Sequence, residues 1–144
     1  MKVVIQRSLN SHVLIRGQKI SEIKKGMVLL VCLETDDTFD TVSRAVKKLM
    51  NMRIFADTDD KMNLNVTEAG GEILAISQFT LSWSGEKGNR PSFDRSMPPG
   101  PAEKLFDIMC DELGKLATTK KGQFGADMQV VITNDGPVTF ALSF

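Results

Sequence analysis

Two short segments carry polar side chains where the chain otherwise reads as buried strand. Ser77-Gln78-Phe79-Thr80-Leu81 follows the apolar run I-L-A-I, so two hydroxyls and an amide stand where a strand leaves the core. Asn134-Asp135-Gly136-Pro137-Val138-Thr139 lies between two strand-like stretches. Gly takes unusual φ and Pro fixes it, which is the composition of a turn. The same pair is where a cis peptide bond is most accessible, and such a bond aims a carbonyl in a fixed direction. Residue chemistry alone leaves both segments ambiguous between a site and an ordinary sheet edge or turn. A hydroxyl or thiol nucleophile needs a base within hydrogen-bond reach. The only imidazole, His12, starts an alternating strand that turns it outward. Zinc-hydrolase spacing, a Walker loop and a G-x-G-x-x-G turn are all missing from the sequence. The acids of D-T-D-D (Asp57, Asp59, Asp60) read as a solvated turn. Cys32 and Cys110 sit in apolar stretches with no second Cys or His at metal spacing, which excludes a zinc site and suits two buried thiols in a reducing compartment. An enzyme built from this chain has few acid–base tools.

The elements that must position these segments follow from periodicity. Val3, Val4 and Ile5 open a strand, and His12 to Arg16 alternates as a second one. R-G-Q-K reads as a hairpin turn into Ile20–Ile23. M-V-L-L-V-C-L is apolar throughout, as expected of a strand buried on both faces. Phe39, Val42, Val46, Leu49 and Met50 then recur every three or four residues, which predicts a helix over about 38–52, with Asp36, Asp37 and Thr38 at its start. R-I-F forms a short strand before the D-T-D-D-K turn, and E-I-L-A-I-S-Q-F-T-L is strongly β. Residues 82–101 form one long irregular segment, which in a compact domain marks function or mobility. Pro101 suits the first turn of a second helix, with Ala102, Leu105, Met109, Leu113 and Leu116 on one face. Two strands, about 126–133 and 138–143, close the chain around N-D-G-P. The expectation is a single α+β domain over residues 1–144, a sheet or barrel with two helices against it.

Composition bounds the partners. With 144 residues the chain folds as one domain and buries about 70% of its unfolded surface. Its 18 basic and 18 acidic side chains balance, which argues against coating a nucleic-acid duplex or an anionic membrane by bulk charge. Arg7 interrupts the first apolar run too early for a signal-peptide core, and no run approaches the ~20 apolar residues of a membrane span. The expectation is a soluble cytoplasmic protein without membrane association.

Six motifs in order decide between the open readings. V-V-I-Q-R-S, R-I-F with K-M-N downstream, S-Q-F-T-L, K-G-N-R-P-S-F, G-Q-F-G-A-D-M-Q-V and N-D-G-P-V-T together resemble the D-aminoacyl-tRNA deacylase family, historically D-Tyr-tRNA deacylase, in its standard type. The resemblance spans residues 1–142. It implies a homodimer of β-barrel-like subunits that hydrolyses the ester between a D-amino acid and the 3′-terminal adenosine of tRNA. It also implies clearance of glycine attached to tRNA for alanine, without metal or other cofactor.

By the same resemblance Ser77, Gln78, Phe79 and Thr80 line the catalytic side. Gly136 and Pro137 form a Gly-cis-Pro element inserted into the partner subunit's site, held by Arg7. Phe124, Ala126 and Met128 fall in the segment lining the pocket for adenosine and aminoacyl group. Lys87 and Arg90, with Arg95 in the same long segment and Lys120 and Lys121 after the second helix, are candidates for contact with the tRNA end. With no protein base in the inventory, the 2′-OH of the terminal ribose is the obvious proton shuttle or water-activating group, and backbone N–H groups the natural oxyanion donors. The alternative is Thr80 as nucleophile, for which the sequence offers no base. The alternative class is a non-catalytic RNA 3′-end binding module of the same fold. Its mark is a damaged S-Q-F-T-L or Gly-Pro element, and both are intact here. A general small-ester hydrolase is disfavoured by the poverty of bases.

Overall fold

The first strand, β1 (Lys2–Ile15), organises the sheet in the computed structural model, which describes residues 1–86 and 88–144. Its first half pairs antiparallel with β3 (Gly26–Cys32) and its second half with β2 (Gln18–Ile23). Its other edge carries β8 (Gln129–Ser143) along nearly the whole length. β3 pairs in parallel with β6 (Glu72–Ser77), and β6 in parallel with the short β7 (Thr119–Lys121). β4 (Phe55–Ala56) and β5 (Met62–Leu64) form a separate two-stranded hairpin. Helix α1 (Phe39–Met50) links β3 to this hairpin, and α2 (Pro99–Gly114) precedes β7. The architecture is α+β, a nearly closed, barrel-like sheet with two helices.

Alternation divides the sheet into two faces. Met27, Leu29 and Val31 of β3 and Ile73 and Ala75 of β6 pack with the helices, where Val42, Leu49, Phe106, Met109 and Leu113 complete the main core. Val28, Leu74 and Ile76 point the other way and meet Val13 of β1 and Ile23 of β2. That second cluster draws on β2, β1, β3 and β6, and β2 at one end of the strand order approaches β6 and β7 at the other, so the cluster fills the inside of the curled sheet. β3 and β6 are therefore buried on both faces, as the uninterrupted apolar run requires.

Several boundaries differ from the sequence expectation, each for a physical reason. The two expected N-terminal strands are one strand, because β8 pairs with both halves across two register shifts, while β3 pairs as far as Ser8 and β2 takes over from Ser11. The two expected C-terminal strands are likewise one, with N-D-G-P carried as a bulge: Gln6 faces Thr139 and Ser8 faces Asn134, so Arg7 alone opposes residues 135–138. Thr38 caps α1 through a reciprocal hydrogen-bond pair with Thr41. Helix α2 starts two residues before the expected Pro101, with Pro98 at the cap position and Pro99 in the first turn. Phe106 and Cys110 join its buried face, and Leu116 lies exposed beyond it.

Candidate active site

β3 and β6 run in parallel, so their carboxyl ends open on the same side. Gln78 N–H donates to the Val31 carbonyl at 2.7 Å, the last rung between them. The chain then bends into a single 3₁₀ turn, Phe79–Ser82. Inside such a turn the first N–H groups have no partner. Gln78 Nε2 donates to Thr80 Oγ1, and the Cys32 thiol reaches the Phe79 carbonyl at 3.5 Å.

Beside this turn lies a cavity of about 390 Å³, within the range of small-molecule sites. Val31 and Leu33 come from the end of β3, Ser77, Gln78 and Phe79 from the end of β6, and Phe106 from α2. Phe124 and Gly125 close one side, and Phe93, Met97 and Pro98 of the long segment close another. No described lining residue is charged. Phe79 is more than half exposed at the mouth and meets Phe93 edge to face, with ring centroids 4.9 Å apart. Phe124 stands 6.1 Å from Phe106. The long segment is tied down where it covers the cavity: Met97 N–H donates to the Leu33 carbonyl and Thr35 N–H to the Arg95 carbonyl.

Helix α2 begins at the cavity wall, yet it makes a poor anion site. Pro99 and Pro101 remove two of the N–H donors that a helix start normally presents. The cavity is built for an uncharged, partly apolar group. Burial raises the Cys32 thiol above its ordinary value, and the Glu34 carboxylate adds to the effect. It stays protonated and is no nucleophile. Burial also pushes Cys110 up to about 12. No group of three or more metal-binding side chains gathers among the described residues.

The N-D-G-P bulge forms a second constellation. The Gly136–Pro137 bond is cis, and both residues are exposed. Val138 anchors the element in the protein, its N–H donating to Asn134 Oδ1 at 3.2 Å, while Asn134 Nδ2 donates to Thr139 Oγ1 at 2.8 Å. Arg7 braces it from below. Its Nε lies 2.8 Å from Asp135 Oδ2, an ion pair without straight hydrogen-bond geometry, and its Nη1 donates to the Ile54 carbonyl at 2.8 Å. Gly136 has φ +116°, and a Cβ there would stand 2.7 Å from Val138 Cγ2.

The expected site residues thus fall into three groups. Ser77, Gln78, Phe79 and Phe124 meet at the apolar cavity, with Thr80 exposed on the adjoining turn. Arg7, Gly136 and Pro137 form the braced bulge, which is not part of that cavity's wall within one chain. Ala126 and Met128 line a different cavity, at the β1–β2 hairpin. Arg90 is exposed, and Lys87 lies outside the described residues. Sequence reasoning missed Phe93, Met97, Pro98 and Phe106 as cavity walls. The signals for the loop walls were the length of the irregular segment 82–101 and the aromatic of K-G-N-R-P-S-F within it.

Fold and cavity define a class: a small α+β barrel-like protein with a ligand cavity at the carboxyl ends of two parallel strands, its mouth lined by hydroxyl, amide and aromatic groups without a charged acid–base pair. Comparison with known proteins narrows this. The family model for D-Tyr-tRNA(Tyr) deacylase matches residues 4–143. The chain is 43% identical over 143 residues to a D-aminoacyl-tRNA deacylase of Haemophilus influenzae and 45% identical over 144 residues to one of Saccharophagus degradans, covering 99% of each chain in both cases. Among solved structures it superposes with a TM-score of 0.96 on the c-Myc DNA unwinding element binding protein, at 38% identity, over 100% of this chain and 99% of that one. The chain belongs to the D-Tyr-tRNA(Tyr) deacylase family and is a hydrolase of ester bonds.

Proposed function

We propose that this protein hydrolyses the ester bond of D-aminoacyl-tRNA, and of glycyl-tRNA mischarged on tRNA for alanine, in the cytoplasm, releasing free tRNA and the amino acid. The observation that carries the reading is the uncharged cavity at the ends of β3 and β6 with the intact S-Q-F-T turn at its mouth. An adenosine fits such a cavity, and the exposed Phe79 offers a ring face to a base. The two prolines of the α2 start turn the same cavity away from phosphate. The solved relative's name attaches that protein to DNA, but a chain of zero formal charge lacks the basic excess that duplex binding uses.

An aminoacyl ester is activated, so orientation and oxyanion stabilisation suffice. The ribose 2′-OH next to the ester assists the attacking water, and N–H groups at the start of the Phe79–Ser82 turn receive the developing charge. Thr80 positions the substrate rather than attacking it, since no base adjoins it. Chirality is read by the Gly136–Pro137 element of a second copy, its Gly136 carbonyl accepting from the substrate's α-ammonium. With ammonium and ester both held, an L side chain runs into backbone, whereas a D side chain points to open space. Glycine has nothing to reject. The exposure of Gly136 and Pro137, and a β8 whose outer edge has no partner strand among the described residues, support a homodimer.

Two substrates and one variant test the mechanism. Thr80→Ala is expected to retain substantial hydrolysis of D-aminoacyl-tRNA, while a substrate ending in 2′-deoxyadenosine is expected to resist the unaltered enzyme. The opposite pattern would make Thr80 the nucleophile and overturn the RNA-assisted route.

A further inference from the structure

A second and larger cavity, about 1020 Å³, lies at the β1–β2 hairpin and takes no part in the chemistry above. Its lining combines apolar Leu14, Ile15, Ile20 and Met128 with charged and amide side chains, where the first cavity has no charged group among the described residues. Arg16, Gln18, Gln123, Asp127 and Gln129 all face it and are all exposed. Among the described residues, no ion pair ties Arg16 or Asp127 to another side chain. Three amides, a guanidinium and a carboxylate supply donors and acceptors close together. That is the set that reads the edge and face of an unpaired nucleobase: amides pair with mixed edges, Asp accepts from an exocyclic amine or ribose hydroxyl, and Arg stacks on the ring.

The two cavities share a wall. Phe124 and Gly125 line the first, and Gln123 and Ala126 line the second. These four residues form one tight turn, closed by Ala126 N–H donating to the Gln123 carbonyl at 3.3 Å and made possible by Gly125 at φ +71°. Such a turn is less than ~7 Å across at its base. A flexible single strand whose last nucleoside fills the apolar cavity can cross this ridge with its preceding nucleotide.

We propose that the hairpin cavity binds the nucleotide preceding the terminal adenosine, through Arg16, Gln18, Asp127 and Gln129. The inference rests on the deacylase reading above and extends it: the terminal nucleoside is held by shape, and its neighbour by polar contacts to the base. The protein thereby distinguishes an RNA end from a free nucleoside ester without a basic surface.

The test compares D-aminoacyl-tRNA with the D-aminoacyl ester of adenosine alone, using the full-length protein. Arg16→Ala combined with Asp127→Ala, and separately Gln18→Ala combined with Gln129→Ala, are expected to lower kcat/KM for the tRNA by roughly tenfold. Both should leave kcat/KM for the adenosine ester unchanged, which also shows that the variants fold. Unchanged tRNA kinetics in both variants would overturn the proposal, and so would equal losses on the two substrates. If the unaltered protein hydrolysed neither D ester, the deacylase reading itself would fall and this inference with it.

Discussion

Arg7 contacts two separate parts of the chain: Asp135 of the Gly-Pro bulge and the carbonyl of buried Ile54. Arg7→Ala leaves that carbonyl unpaired and Asp135 without its cation, costing ~1–3 kcal/mol. The expected result is a lower urea midpoint and a loss of D-aminoacyl-tRNA hydrolysis beyond tenfold, because the bulge loses its brace. Arg7→Lys keeps the charge but not the fork that reaches both partners, so it should recover stability better than activity. Unchanged hydrolysis by Arg7→Ala would detach the bulge from function. At this scale the sequence was informative wherever the residue type limits the chemistry. One His and two thiols in apolar stretches point away from side-chain bases, and the raised Cys32 thiol agrees. The sequence was silent on what Arg7 touches, since Asp135 and Ile54 are remote from it along the chain.

The site depends on the parallel pairing of β3 with β6, because their ends form both its floor and its mouth. Gly26 permits that pairing. A Cβ there would lie 1.8 Å from the Glu72 carbonyl oxygen, a backbone atom that cannot give way without breaking the first rung. Gly26→Ala is expected to destabilise by roughly 3 kcal/mol. Gly114→Ala, at the end of α2 with nothing near the new methyl, should be neutral or stabilising by ~0.4–1 kcal/mol. Equal urea midpoints for the two variants would contradict this account of the pairing. Periodicity made α1, α2, β3 and β6 legible, because each buries a continuous face. It failed for β7, whose Thr119-Lys120-Lys121 has no apolar alternation and is held by β6. It also split β1 and β8, where backbone pairing carries the strands through polar stretches. The walls from residues 93–98 were hidden for a related reason: the loop is fixed by backbone bonds to Leu33 and Thr35, which leave no pattern in side chains.

At the scale of the whole molecule, a single chain holds the cavity and the Gly-Pro bulge as separate features. The proposed function joins them across two copies. Mixing a Gly136→Ala protein with a Gln78→Ala one tests this, each being expected to be inactive alone. Mixed dimers contain one site with both elements intact, so activity should return on mixing and subunit exchange. Activity that stays absent in verified mixed dimers would put cavity and bulge to work within one chain. The balanced charge, which argues against broad duplex binding, is compatible with a protein that holds one RNA end by shape and local polar contacts. The measurement that bears most directly on the central claim follows ester loss from matched D-aminoacyl-, L-aminoacyl- and glycyl-tRNA. Rapid loss of the D and glycyl esters with the L ester preserved is the predicted result. Equal rates on D and L esters, or no hydrolysis of the D ester, would contradict it.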